Sequence, residues 1–114
     1  NPMYTIYGIK NCDTVKKALA HLDKNGADYE FVDFKKTPPT KELITKWQKF
    51  MKDWPVNRRG PTFRKIKDAF EAGKDAAKIS LLIESSSAIK RPLIEKKGKP
   101  LVAGYDSELY KDIK

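Results

Sequence analysis

Residues 3–34 read MYTIYGIKNCDTVKKALAHLDKNGADYEFVDF, and the fold of the chain turns on them. Met3–Tyr7 is rich in β-formers and alternates as a strand does. Gly8–Cys12 reads as a loop. From Asp13 onward, Val15, Ala18, Leu19 and Leu22 fall at i, i+3, i+4 and i+7, which predicts a helix with one apolar face. Asn25-Gly26 should end it, because glycine takes up the left-handed C-terminal conformation without strain. Tyr29–Phe34 alternates again. A strand, a helix and a strand over this length predict a right-handed βαβ unit with parallel strands.

Thr37-Pro38-Pro39-Thr40 breaks the chain after this unit, and Thr40 is placed to cap a helix with Leu43, Ile44, Trp47, Phe50 and Met51 on one face. Gly60-Pro61 breaks it again. Thr62 is expected to cap a helix carrying Phe63, Ile66 and Phe70, which ends at Gly73. Asp75 opens a further short helix through Leu81, Leu82 and Ile83. Strands return at Leu93–Glu95 and Leu101–Ala103, around the hairpin signal Lys97-Gly98-Lys99. Gly104 and Asp106 precede a last helix with Leu109, Tyr110 and Ile113. The expectation is one α/β domain over residues 3–114, ordered βαβ…ββα, with a helical insertion at about 40–90. Asn1-Pro2, ahead of Met3, reads as an appended remnant and carries no weight in the fold.

Composition narrows the function. The 114 residues, 39% hydrophobic, are enough for one core. No apolar run approaches the roughly 20 residues of a membrane span, and no signal peptide opens the chain. Net charge is +9, from 24 Lys+Arg against 15 Asp+Glu. Nucleic acid enters on that ground, but the basic residues are spread as pairs, with no basic tail and no base-stacking aromatic motif. A solvated lysine-rich surface is the plainer reading, and small anionic substrates suit the charge equally well. One Cys and one His exclude a multi-ligand zinc site. A single thiol also excludes an internal disulfide, in keeping with a reducing cytoplasm.

That thiol, Cys12, lies between a predicted strand and a predicted helix. A helix N-terminus offers unpaired N–H groups and a partial positive charge, which favour a thiolate and lower its pKa. Lys16 and Lys17 add positive field one turn on. The alternative is a small buried hydrophobe. His21, on the polar side of the helix, reads as an exposed residue rather than a general base. Arginine suits carboxylates and oxyanions through its planar fork, so Arg58, Arg59 and Arg91 are candidate anion contacts. Arg91-Pro92, just before the third strand, is a candidate cis peptide bond.

YGIKNCDTVKKAL, FVDFKKTPPT, VNRRGPTFRK and IKRPLI, followed by a hairpin and GYD, together resemble the ArsC/Spx family, most of all its YffB-type branch. The resemblance spans nearly the whole chain. It implies a thioredoxin-like fold with a mixed four-stranded sheet and a helical insertion. It makes Cys12 a nucleophile and Arg91 an oxyanion or substrate contact, with Arg58 or Arg59 a second one. Pro92 becomes the cis-proline beside which a thiol substrate pairs in strand-like fashion. Lys10, Asp13 and Thr14 complete the implied glutathione-binding set, with either Thr14 or the N–H groups of Asp13 and Thr14 as hydrogen-bond donors to the thiolate.

Three departures argue against arsenate as substrate. A Gly-Thr-Ser-Arg run is replaced by Asp13-Thr14-Val15-Lys16. Leu101–Gly104 offers no further arginine. Asp13 sets a negative charge beside the thiol. The resemblance then implies a single-cysteine, glutathione-dependent thiol reductase with no bound cofactor, glutathione as co-substrate, and glutaredoxin or another protein as a further partner. The alternative is an Spx-like regulator that binds a protein such as RNA polymerase without catalysis; the missing Cys-x-x-Cys switch counts against it.

Overall fold

The computed structural model describes residues 3–111 and Ile113, except for the side chain of Leu109. The expected remnant Asn1-Pro2 and the place of Leu109 on the last helix's apolar face lie outside the described residues. Among the described residues ten elements follow one another: β1 (Tyr4–Gly8), α1 (Asp13–Lys24), β2 (Tyr29–Asp33), α2 (Lys41–Met51), α3 (Pro61–Ala72), α4 (Asp75–Glu84), a one-turn 3-10 helix (Ser86–Ala88), β3 (Leu93–Lys96), β4 (Lys99–Ala103) and α5 (Ser107–Tyr110). The chain forms two compact units, one built from the residues up to Asp33 and from Arg91 onward, the other from Phe34–Lys90.

The first unit holds a four-stranded mixed sheet in the order β2-β1-β3-β4. β1 runs parallel to β2, with Tyr4 opposite Tyr29 and Gly8 opposite Asp33. It runs antiparallel to β3, with Tyr7 opposite Leu93 and Tyr4 opposite Lys96. This is the thioredoxin-like arrangement that the resemblance implies. Tyr4, Ile6, Ile94 and Val102 from one sheet face pack with Ala18 and Leu22 of α1 and with Tyr110 and Ile113. Each of these side chains leaves almost no surface in water, and burial of a large apolar side chain stabilises by about 1.5–3 kcal/mol.

Lys97 and Gly98 turn the β3–β4 hairpin with φ of 51° and 81°. Positive φ at both central residues gives the twist that a two-residue hairpin needs, and glycine holds the second without strain. β4 is an edge strand that tolerates Pro100 beside an irregularity in its register at Ile94/Glu95. α5 is shorter than expected: it stops at Tyr110, and Ile113 is fixed instead by its N–H donating to the Tyr110 carbonyl at 3.0 Å.

The second unit is helical. Thr40 caps α2 as expected, its Oγ1 accepting from the Leu43 N–H at 3.2 Å. Ile44 and Trp47 are buried, but Phe50, expected on the same face, stands 42% exposed at the margin of the stripe. α3 starts one residue before the expected cap. Gly60 is the N-cap and Pro61 the first helical residue, where its missing N–H costs nothing, so Thr62 falls inside the first turn. Phe63 and Phe70 meet edge-to-face at 5.4 Å, and Trp54 meets Phe70 at 5.7 Å. The 3-10 turn at Ser86–Ala88 has no apolar period to announce it.

Candidate active site

β1 ends at Gly8, and the loop that follows delivers Cys12 as the N-cap of α1, with extended φ/ψ of −137° and 120°. Two consequences follow from helix geometry. The Cys12 carbonyl already accepts from the Lys16 N–H at 2.9 Å, closing the first turn. The Cys12 side chain faces the N–H groups of the second and third helical residues, which an N-cap side chain normally satisfies. Those residues are Thr14 and Val15. The neutral thiol makes no side-chain cap of strict hydrogen-bond geometry; the thiolate is the form these donors favour.

Arg91 reaches the same point from the other end of the chain. Because β3 runs antiparallel to β1 with Leu93 opposite Tyr7, the start of β3 lies beside the end of β1. Arg91 and Pro92 precede Leu93 and so fall next to the loop that carries the cysteine. The Arg91–Pro92 bond is cis, as the sequence suggested. Pro92 is buried, and its carbonyl accepts from the Gly104 N–H at 2.8 Å, which ties this segment to the chain leaving β4.

Opposing effects set the Cys12 thiol's pKa. Burial pushes it up. The Val15 N–H, the Arg91 guanidinium through hydrogen bond and charge, and the Thr14 N–H pull it down, and together they win: the pKa lies below its ordinary value of 9.0. The thiol is partly exposed. Lys16 and Lys17, one turn on, are both exposed. The Asp13 N–H, expected as a donor, is absent from this balance, and the Val15 N–H takes its place. The capping rule carries the signal for Val15: once Cys12 is the N-cap, its third helical residue is Val15.

Thr14 is half-buried, and Lys10 and Asp13 are exposed on either side of the cysteine in the chain. Arg58 and Arg59 belong to the helical unit, and both are exposed. Arg58 is engaged there: its Nη2 donates to both carboxylate oxygens of Asp53, at 3.0 and 3.2 Å, and its guanidinium lies 5.8 Å from the Phe63 ring centre. His21 departs from its expected exposure. It is half-buried, its Nε2 lies 2.7 Å from the Tyr110 carbonyl oxygen, and its ring meets that of Tyr110 edge-on at 5.4 Å. It serves the C-terminal segment rather than the thiol. Among the described residues no cluster of three or more His, Cys, Asp or Glu side chains is arranged to hold a metal ion. No helix among them is long and apolar enough to cross a membrane.

The ArsC family model matches residues 7–113. The chain belongs to the ArsC family. An uncharacterized protein of Haemophilus influenzae is 36% identical over 110 residues, which cover 95% of this chain and 96% of that one. A solved structure named YffB is 36% identical, covers 96% of this chain and 97% of its own, and superposes with a TM-score of 0.83. An arsenate reductase (ArsC) related protein from Brucella melitensis is 38% identical, covers 95% and 91% of the two chains, and has a TM-score of 0.70. The site described above is thus that of an ArsC-family chain with a single cysteine and arsenate-reductase-like relatives.

Proposed function

We propose that this ArsC-family chain is a thiol–disulfide reductase that works with one cysteine and takes glutathione as its external thiol. The observation that supports this most is the convergence of the Val15 and Thr14 N–H groups and the Arg91 guanidinium on the Cys12 sulfur. A lowered pKa raises the fraction of thiolate at a given pH, and the thiolate is the nucleophile.

In the first step the Cys12 thiolate attacks one sulfur of a substrate disulfide. A new S–S bond forms to Cys12, the old one breaks, and the departing thiolate takes a proton from water. The chain offers no second thiol to resolve this mixed disulfide. A glutathione thiolate then attacks the sulfur bound to Cys12, a disulfide containing glutathione leaves, and Cys12 returns as thiolate. Where the captured half is itself glutathione, the product is glutathione disulfide. Arg91 balances the negative charge throughout and offers its fork to a glutathione carboxylate. The Arg91-Pro92 segment supplies the strand-like backbone edge against which a thiol substrate lies. Lys10, Asp13 and Thr14 form the near rim.

The test is the pH dependence of Cys12 alkylation with and without glutathione, together with turnover of a glutathione mixed disulfide. The expected results are a thiol titrating below the free-cysteine range, protection by oxidised glutathione, and loss of turnover in a folded Cys12→Ser variant. A thiol of ordinary pKa, indifferent to glutathione, overturns the proposal. Turnover retained by Cys12→Ser overturns the mechanism.

A further inference from the structure

The charge of this protein is not spread evenly. Residues 34–90 carry 14 Lys+Arg against 6 Asp+Glu, a balance of +8; the rest of the chain carries 10 against 9, a balance of +1. Nearly all of the net +9 therefore belongs to the helical unit. The unit built around the thiol is close to neutral, so a charge suited to small anions at the cysteine does not account for the asymmetry.

Within the helical unit the surface of α2 is shaped as well as charged. Lys41, Glu42, Thr45, Lys46 and Lys49 line a shallow concavity of about 470 Å³. Gln48, Lys49, Lys52, Asp53 and Trp54 line a second of about 480 Å³, and Lys49 belongs to both. The two thus run on from one another along the helix. Lysine side chains in such a wall present aliphatic stems to the hollow and ammonium groups to its rim. Thr45 donates its hydroxyl to the Lys41 carbonyl at 2.9 Å, so it brings no free donor to the hollow. Asp53 is offset by its ion pair with Arg58. Phe50, on the same helix, is 42% exposed.

We propose that this face of α2 is a docking groove for an acidic amphipathic helix of a partner protein. The occupant follows from what the groove presents. Cationic groups on a rim call for carboxylates, and a hollow walled by lysine stems calls for apolar side chains between them. A nucleic-acid backbone supplies the negative charge but has nothing apolar for the hollow. Lys41 and Lys49 lie eight residues apart on one face of the helix, so carboxylates spaced by two helical turns on a partner meet them in register. The helix from Lys41 to Met51 is about 16 Å long, enough for three turns of partner. The proposal stands apart from the thiol chemistry and holds whether or not Cys12 turns over a disulfide.

The probe is a fluorescein-labelled 16-residue peptide, glutamate on one helical face and leucine on the other, followed by anisotropy at low and moderate salt. A labelled single-stranded DNA oligonucleotide forms the second arm. The charge-reversal triple Lys41→Glu/Lys49→Glu/Lys52→Glu is compared with Lys96→Glu/Lys97→Glu/Lys99→Glu on the β3–β4 hairpin, which makes the same change in net charge on the other unit. The α2 triple is expected to weaken peptide binding at least tenfold and the hairpin triple less than threefold. Glu42→Lys is expected to strengthen it. Circular dichroism confirms that each variant is folded. Equal losses from both triples would reduce the effect to net charge and overturn the groove. DNA bound more tightly than the peptide, and lost in the α2 triple, would reassign the surface to nucleic acid. No peptide binding at low salt would overturn the proposal outright.

Discussion

Gly8 lies close against Val15 at the start of the reactive helix, and Gly8→Ala tests that contact directly. A Cβ at residue 8 would lie 2.9 Å from Val15 Cγ2, 3.6 Å from Val15 Cγ1 and 3.8 Å from Phe31 Cε1. The first distance is far inside van der Waals contact. Val15 cannot swing clear, because it is fully buried and a β-branched side chain in a helix keeps one rotamer. The start of α1 must move instead. Overpacking of this kind costs about 1–3 kcal/mol. It also displaces the residue whose N–H does most to hold the Cys12 thiolate, so the thiol should rise toward its ordinary pKa.

Urea denaturation measures the first effect and the pH profile of alkylation the second. Val15→Ala supplies the control that isolates the contact. Alone it should cost about 2 kcal/mol in lost burial. With the two methyls gone, the close approach at position 8 is gone, and the Phe31 Cε1 contact at 3.8 Å is an ordinary one. The double variant should then be about 1–2 kcal/mol more stable than the sum of the singles predicts. Additivity to within about 0.5 kcal/mol would refute the reasoning, since contacting residues couple by more than that.

Three further outcomes follow from the geometry. The folded Cys12 thiol titrates below its unfolded value, so between those two values the unfolded state binds more protons and stability rises with pH. The gain is complete above the unfolded value and is lost as pH falls through the folded one; urea midpoints of the wild type should show this rise below about pH 9, and Cys12→Ser should flatten it. Arg91→Met removes both a hydrogen bond and a charge from the thiolate, so the alkylation profile should move to higher pH, with Arg91→Lys in between; an unmoved profile in Arg91→Met would remove Arg91 from the site. Tyr110→Phe deletes the buried hydroxyl that donates to the Gly104 carbonyl at 3.0 Å, and should cost about 1 kcal/mol in urea unfolding with the alkylation profile unchanged.

The legible parts of the fold are those with short-range causes. The α1 stripe of Val15, Ala18 and Leu22 is buried as the spacing requires, and Gly26 takes the left-handed conformation after the helix, at φ 65°. Thr40 caps α2, and Lys97-Gly98 turns the hairpin. Where the structure departs from the local pattern, a competing or more distant contact is the cause. Thr62 has a capping side chain, but Pro61 before it is better suited to the first helical position, and the nearer rule prevailed. The apolar period of each helix alone predicts Phe50 on the buried face of α2 and His21 on the exposed side of α1. The packing of the folded chain leaves the first exposed and sets the second against Tyr110.

The sequence by itself determined the order of elements, the placing of the lone thiol at a helix start, and the family to which the chain belongs. These depend on periodicity, caps and motif spacing, which act over a few residues and can be read one window at a time. Tertiary structure decided which groups surround that thiol. Arg91 reaches Cys12 because β3 pairs antiparallel with β1 in a register that sets Leu93 opposite Tyr7. The Val15 N–H serves the sulfur because the backbone of Cys12 is extended rather than helical, which turns its side chain toward the third helical residue. Strand register and side-chain direction are settled by packing between segments distant in the chain, and no local window contains both partners.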